Sequence, residues 1–190
     1  MLILASTSRY RRELLARLGL PFESARPDTD ETALPDEAPE ALAHRLAQAK
    51  AHAIASRHPK AWVIGSDQVA ACGGLLLGKP GGRAAALAQL HAASGREVVF
   101  HTAVCVMRAA DDTCWLASDR THVQFRDLRD DELMRYVDAE QPFDCAGSFK
   151  SEGLGISLFE RIRSDDPTAL IGLPLIALCG LLRKAGFVLP

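Results

Sequence analysis

Leu2-Ile3-Leu4-Ala5 runs without a break into Ser6-Thr7-Ser8 and then into Arg9, Arg11 and Arg12, so an apolar segment ends in a cluster of hydroxyl and guanidinium groups. Four apolar residues suit a buried strand, Ser8 offers a helix-capping oxygen, and Leu14, Leu15 and Leu18 recur at helical spacing before Gly19. The chain therefore opens as strand, polar turn and helix. At such a junction the backbone N–H groups and the positive end of the helix dipole favour an anion, and arginine adds paired hydrogen bonds suited to phosphate oxygens. Arginines in a helix's first turn oppose its dipole unless an anion sits there. A plainly capped helix with solvated arginines is the alternative, and this segment alone leaves both open.

A second buried strand is expected over 61–66, with Asp67-Gln68 just past its end. Open α/β sheets place ligand chemistry at that position, although a simple Asx turn accounts for the aspartate equally well. Between these strands, 26–40 carries three prolines and six carboxylates and reads as a loop, and 41–56 reads as a helix with Leu42, Leu46, Ala49 and Ala53 on one face. Gly73-Gly74 predicts a hairpin turn, after which Leu75-Leu76-Leu77 leads to Gly78-Lys79-Pro80. Helices are expected at 84–93, 130–136 and 173–185, strands at 97–107 and 115–125, and a glycine-punctuated binding loop at 144–155. This alternation predicts an α/β protein, a mixed twisted sheet flanked by helices, and the length suits one domain over residues 1–190.

Twenty-four acidic residues balance 22 lysines and arginines, which argues against a broad basic face for nucleic acid; an anionic ligand must be held by a local cluster. The five cysteines are odd in number and contain no CxxC pair, so reduced thiols are expected rather than a disulfide framework or a zinc site. His44, His52 and His58 lack metal-ligand spacing and read as surface or helix-end residues. No GxxxxGK[ST] loop is present, and no apolar run approaches the ~20 residues of a membrane span, so a cytoplasmic protein is expected. Cys145 has no histidine near it in sequence and reads as a packed thiol. Glu31 and Asp67 beside a phosphate site would suit Mg²⁺ or Mn²⁺, which bind through one or two carboxylates and the phosphates themselves.

In order along the chain, LILASTSRYRRELL, DET at 30–32, RLAQAKA ending at Ala51, IGSDQV, LGKP, SGREV, VQFR, DCAGSFKSEGLG and DDPTALIGLPL resemble the Maf family of nucleoside triphosphate pyrophosphatases. Asp67-Gln68, where the dTTP/UTP branch has Asp-Thr, together with CAGSFKSEG and the segment ending LFERI, resemble the branch that acts on 7-methyl-GTP. The resemblance implies a two-lobed fold with a central cleft, related to the inosine triphosphatase fold. It implies hydrolysis between the α and β phosphates, giving a monophosphate and diphosphate with Mg²⁺, Mn²⁺ or Co²⁺. Asp67 would be the proton acceptor, and Ser6, Arg11, Arg12, Lys50 and Lys79 would bind phosphate. Glu31 and Asp67 would hold the metal, and Tyr10, Gln68 and Glu152 would govern substrate choice.

The expected partner is then a small nucleotide, with no stable nucleic-acid complex and no membrane, and a homodimer is the assembly to test for. The same chemistry on dTTP, UTP or another modified nucleotide, and a non-catalytic nucleotide-binding regulator of cell division, are the competing readings. The resemblance has two departures, Ser8-Arg9 for the usual Ser-Pro and Tyr10 for a tryptophan. Guanine methylated at N7 is a delocalised cation, so the Tyr10 ring offers it a stacking face and Glu152 offers acceptors for N1–H and the amino group.

Overall fold

The computed structural model describes residues 1–189. Its strands are β1 (Leu2–Ala5), β2 (Glu23–Ala25), β3 (Trp62–Cys72), β4 (Leu75–Leu77), β5 (Glu97–Arg108), β6 (Thr113–Phe125) and β7 (Phe159–Arg163). The helices are α1 (Arg9–Ala16), α2 (Pro39–Ala55), α3 (Arg83–Ala93), α4 (Asp130–Glu140) and α5 (Leu175–Lys184). The strands hydrogen-bond in the order β2-β1-β3-β5-β6-β7, with β4 also paired to β3. This is the mixed α/β sheet that the alternation of strands and helices requires. The chain divides into two compact units, one built from Met1–Gln68, Thr102–Asp119 and residues from Asp166 onward, the other from Val69–His101 and Arg120–Asp165.

In the first unit β2 and β3 both run parallel to β1, with Ala5 beside Ala25 and Leu4 beside Ile64. Parallel neighbours need crossover connections, which α1 and α2 supply. Because β1 lies between β2 and β3, the connections diverge at its C-terminal end, the place where such sheets open a ligand crevice. Leu2 and Leu4 of β1, Trp62 and Ile64 of β3 and Val104 and Val106 of β5 share a core with Leu14 and Leu15 of α1 and Leu178, Leu181 and Leu182 of α5. On the other face α2 presents the fully buried Ala43, Ala47, Ala51 and Ala55. Here it approaches β3 so closely that a Cβ on Gly65 would lie 2.2 Å from the Ala47 carbonyl oxygen and 2.6 Å from the Ala51 amide nitrogen.

In the second unit the Gly73-Gly74 turn forms the expected hairpin, with Cys72 opposite Leu75 and Ala70 opposite Leu77. Phe100, Phe125, Phe149 and Phe159 build its aromatic core in edge-to-face pairs with centroids 4.7–5.6 Å apart. Helix α3 packs against α4, and Arg83 reaches Asp138 at 2.6 Å across them.

Several expectations change. The strand anticipated over 61–66 continues to Cys72, so Asp67 lies within β3 rather than beyond it. Its polar side chain is tolerated there because it finds a buried ionic partner. Strands β2 and β7, mostly exposed, carry no apolar signal, and α4 extends four residues past the expected Tyr136. His44, expected at the surface, lies within α2 with Nε2 buried and without a hydrogen-bond partner among the described residues. All five cysteines are free thiols, and Cys105 and Cys114 bring their sulfurs to 3.6 Å.

The close contact at Gly65 is with backbone atoms that cannot swing aside. Gly65→Ala is expected to cost about 1–3 kcal/mol of stability from overpacking, read as a lower urea midpoint with an unchanged slope. An unchanged midpoint would mean that the helix is not held against the strand at this point.

Candidate active site

The first polar cluster is built by the β1–α1 turn. Ser6 is buried and its Oγ accepts a hydrogen bond from the Ser8 amide at 3.1 Å; Ser8 Oγ in turn caps the helix by accepting from the Arg11 amide at 3.4 Å. The first turn of α1 contains no acidic residue. Arg9, Arg11 and Arg12 therefore add positive charge to the positive end of the dipole, an arrangement complementary to a bound anion. Arg12 is exposed, whereas Arg11 turns inward and donates from Nε to the Gly172 carbonyl at 2.9 Å. Tyr10 is partly buried, its hydroxyl accepts from Arg9 at 2.8 Å, and the Arg9 guanidinium lies 4.7 Å from its ring centroid.

Parallel register brings the second cluster alongside. Alternation along β3 sends residues 65 and 67 to the α2 face and 66 and 68 to the α1/α5 face. Asp67 thus meets Lys50 of α2, whose ammonium donates to Oδ1 at 2.5 Å; both groups are buried. The same Nζ lies 2.6 Å from Oε1 of Glu31, which stands out of the proline-rich loop with 61% of its side chain exposed. Among the described residues, Oδ2 of Asp67 has no hydrogen-bond partner. Burial lowers the pKa of Arg11 from its ordinary value, while the negative charges of Asp67 and Glu31 pull it back up. Two cations and two carboxylates therefore share one locale, with one carboxylate oxygen left to accept a proton.

The opposite face of β3 is bound by the turn before α5. Ser66 Oγ donates to the Gly172 carbonyl at 3.1 Å, the same oxygen that Arg11 uses. Gln68 directs its amide nitrogen to Thr102 Oγ1 and to the carbonyls of Ala169 and Leu170, at 2.9–3.0 Å. The Gln68 NH₂ is thus engaged by the protein. Ser66, Thr102 and Gly172 were not among the expected site residues; a backbone acceptor such as the Gly172 carbonyl has no side chain by which a sequence could reveal it.

The remaining expected residues belong to the second unit. Lys79 is exposed, two residues past β4, in a loop tied down by Gln89 to the Gly78 carbonyl at 3.1 Å and by the Gly81 amide to the Phe143 carbonyl at 3.0 Å. Glu152 is exposed and accepts from Ser151 at 3.3 Å. Its loop is fixed on both sides: the Lys150 amide donates to the Tyr136 hydroxyl at 3.1 Å and the Leu154 amide to Glu140 at 2.8 Å. Burial pushes the Tyr136 phenol above its ordinary pKa.

Among the described residues no group of three or more His, Cys, Asp or Glu could hold a metal. Asp67 and Glu31 are oxygen donors of the kind a hard divalent cation takes when its other ligands come from phosphates and water, and their shared contact with Lys50 puts both carboxylates in one place. No helix among the described residues is long and apolar enough to cross a membrane.

Residues 1–185 match the family model described as Maf-like protein. A 7-methyl-GTP pyrophosphatase of Xanthomonas oryzae pv. oryzae is 62% identical over 189 residues, covering 100% of this chain and 98% of that one. Proteins of the same name from Aromatoleum aromaticum and Cupriavidus metallidurans are 59% and 57% identical, covering 100% and 98% of this chain and 97% and 94% of theirs. The solved Ham1 proteins of Staphylococcus aureus and Coxiella burnetii superpose with TM-scores of 0.52 and 0.53 at 14% and 16% identity. The first covers 97% of this chain and 98% of its own, the second 96% and 98%, and the likeness is one of fold.

The ion pair makes an asymmetric prediction. Lys50→Met strands the buried Asp67 carboxylate and is expected to cost about 3 kcal/mol, whereas Asp67→Asn leaves Lys50 its Glu31 partner and costs about 1 kcal/mol or less. Urea unfolding of both variants measures this; a loss of less than about 1 kcal/mol in Lys50→Met would remove the ion pair as an anchor of the fold.

Proposed function

Because the chain belongs to the Maf family, we propose that it hydrolyses the α–β phosphoanhydride of 7-methyl-GTP, releasing 7-methyl-GMP and diphosphate. The observation that carries this reading is the Asp67 carboxylate, fixed through Oδ1 by Lys50 with Oδ2 unpartnered, its charge acting on Arg11 of α1. Relatives about 60% identical over the whole chain bear the name of that activity.

In the reaction, Oδ2 of Asp67 accepts a proton from the water that attacks the α phosphorus, while Lys50 prevents the carboxylate from rotating away. The α–β bridging bond breaks and its electron pair leaves with the diphosphate. Arg11 and Arg12, with Lys50 and the β1–α1 turn at Ser6, neutralise the triphosphate and the charge that shifts to the leaving group. Glu31 and Asp67 would hold a divalent cation, Mg²⁺, Mn²⁺ or Co²⁺, which when bound supplies charge neutralisation at the phosphate oxygens. Lys79 is assigned to phosphate binding, and Tyr10, Gln68 and Glu152 to the choice of base. With the Gln68 amide nitrogen engaged by the protein, its oxygen is the group left for that task. The proposed location is the cytoplasm, a reducing compartment, and the five free thiols are consistent with it.

A panel of nucleoside triphosphates with Mg²⁺, Mn²⁺ or Co²⁺ tests the reading. Diphosphate release is expected to be fastest from 7-methyl-GTP, to stop on chelation, and to fall by about 10²–10⁴-fold in Asp67→Asn with the fold intact. Comparable rates on UTP would overturn the choice of base. Undiminished turnover in Asp67→Asn would remove that residue from the role of proton acceptor.

A further inference from the structure

The turn of residues 166–174 touches the site from the face of β3 opposite Lys50, and its own construction is unusually well determined. Asp166 is 3% exposed and lies at its centre. Its Oδ1 accepts from the Thr168 amide at 3.0 Å and from Thr168 Oγ1 at 2.6 Å, and its Oδ2 accepts from the Ile176 amide at 2.6 Å in the first turn of α5. Its own amide donates to the buried Asp119 of β6 at 3.0 Å. Thr168 Oγ1 also lies 2.9 Å from the Leu173 carbonyl and accepts from the Leu175 amide at 2.9 Å. One carboxylate and one hydroxyl thus staple the start of the turn to its end and to the helix that follows.

The carbonyls presented by this turn are acceptors for the side chains around Asp67. Ala169 O receives Thr102 and Gln68, Leu170 O receives Gln68, and Gly172 O receives both Ser66 and Arg11. Ser66 and Gln68 are the immediate neighbours of Asp67 on β3. Gly172 has a φ of +125°, which an L side chain rarely adopts, so the direction of its carbonyl depends on the turn being held as it is. Arg11 spends Nε on that carbonyl, which leaves its two terminal nitrogens for another partner, and the charges of Asp67 and Glu31 act on the guanidinium.

We infer that Asp166 and Thr168 are positioning residues for the reaction, acting through the Gly172 carbonyl to aim the Arg11 guanidinium. The inference rests on the proposed hydrolysis, since it assigns these residues a part in that reaction. Neither residue touches the reacting atoms. Removing the staple relaxes the turn, rotates the Gly172 carbonyl, and releases an arginine needed most as charge moves to the leaving diphosphate.

The test compares Thr168→Val, which keeps the shape and loses the hydroxyl, with Thr168→Ser, which keeps the hydroxyl, using 7-methyl-GTP with Mg²⁺ and circular dichroism to show that both fold. Thr168→Val is expected to lower kcat by about 10–100-fold with KM moving less than about threefold, and Thr168→Ser to restore most of the rate. Combined with Arg11→Ala, Thr168→Val should add less than about a twofold further loss, because the group it positions is already gone. If Thr168→Val turns over like the wild type, or its loss multiplies in full with that of Arg11→Ala, the positioning role is overturned while the hydrolysis stands. If the wild-type protein releases no diphosphate from any nucleotide, the proposed hydrolysis fails and takes this assignment with it.

Discussion

Burying a carboxylate in the middle of a strand is costly unless a cation or hydrogen-bond donors meet it, and much of the first unit follows from satisfying Asp67. The cation is Lys50, itself buried on α2, and its ammonium reaches Oδ1 only because α2 lies against β3. That approach in turn requires a helix face of alanines and a strand residue with no side chain at 65. Glu31 completes the cluster from a loop with little else to bury, and Arg11 balances the second negative charge. Charge neutrality within the cluster makes its burial tolerable, and the unpartnered Oδ2 makes it chemically useful.

The parallel arrangement of β1 beside β3 converts two separate sequence clusters into one site. Leu4 is registered with Ile64, so the chain reaches Ser6 and the N-terminus of α1 beside Ser66 and Asp67. Divergence of the crossover connections keeps this end of the sheet open. The turn before α5 closes the other face of β3 with backbone carbonyls, so the strand carrying Asp67 is fixed from both sides by different means, ionic on one and hydrogen-bonded on the other.

Much of this was legible in the chain itself. The run Leu2 to Ala5, the leucines of α1 and the Gly73-Gly74 hairpin obey simple periodicities, and the structure follows them. Strand β2 escaped because Glu23 and Ser24 are exposed, and β7 because four of its five residues are, so neither has an apolar face to announce it. The apparent end of β3 at Asp67 was misleading because the partners that make polar residues acceptable there are remote in sequence, Lys50 by 17 positions and Ala169 by 101 for Gln68. Arg11, Lys50 and Asp67 could be named from motifs; the supporting turn lies within the segment DDPTALIGLPL, but the acceptors it presents to the site are carbonyl oxygens, which no side chain reveals.

The most direct measurement is a crystal structure of the Asp67→Asn variant with unreacted 7-methyl-GTP bound. The expected result is a triphosphate lying against Arg11 and Lys50, with the α phosphorus facing the residue 67 side chain and room for one water between them. A nucleotide that binds with its phosphates away from this cluster, or with the γ phosphorus rather than the α phosphorus facing residue 67, would contradict the account.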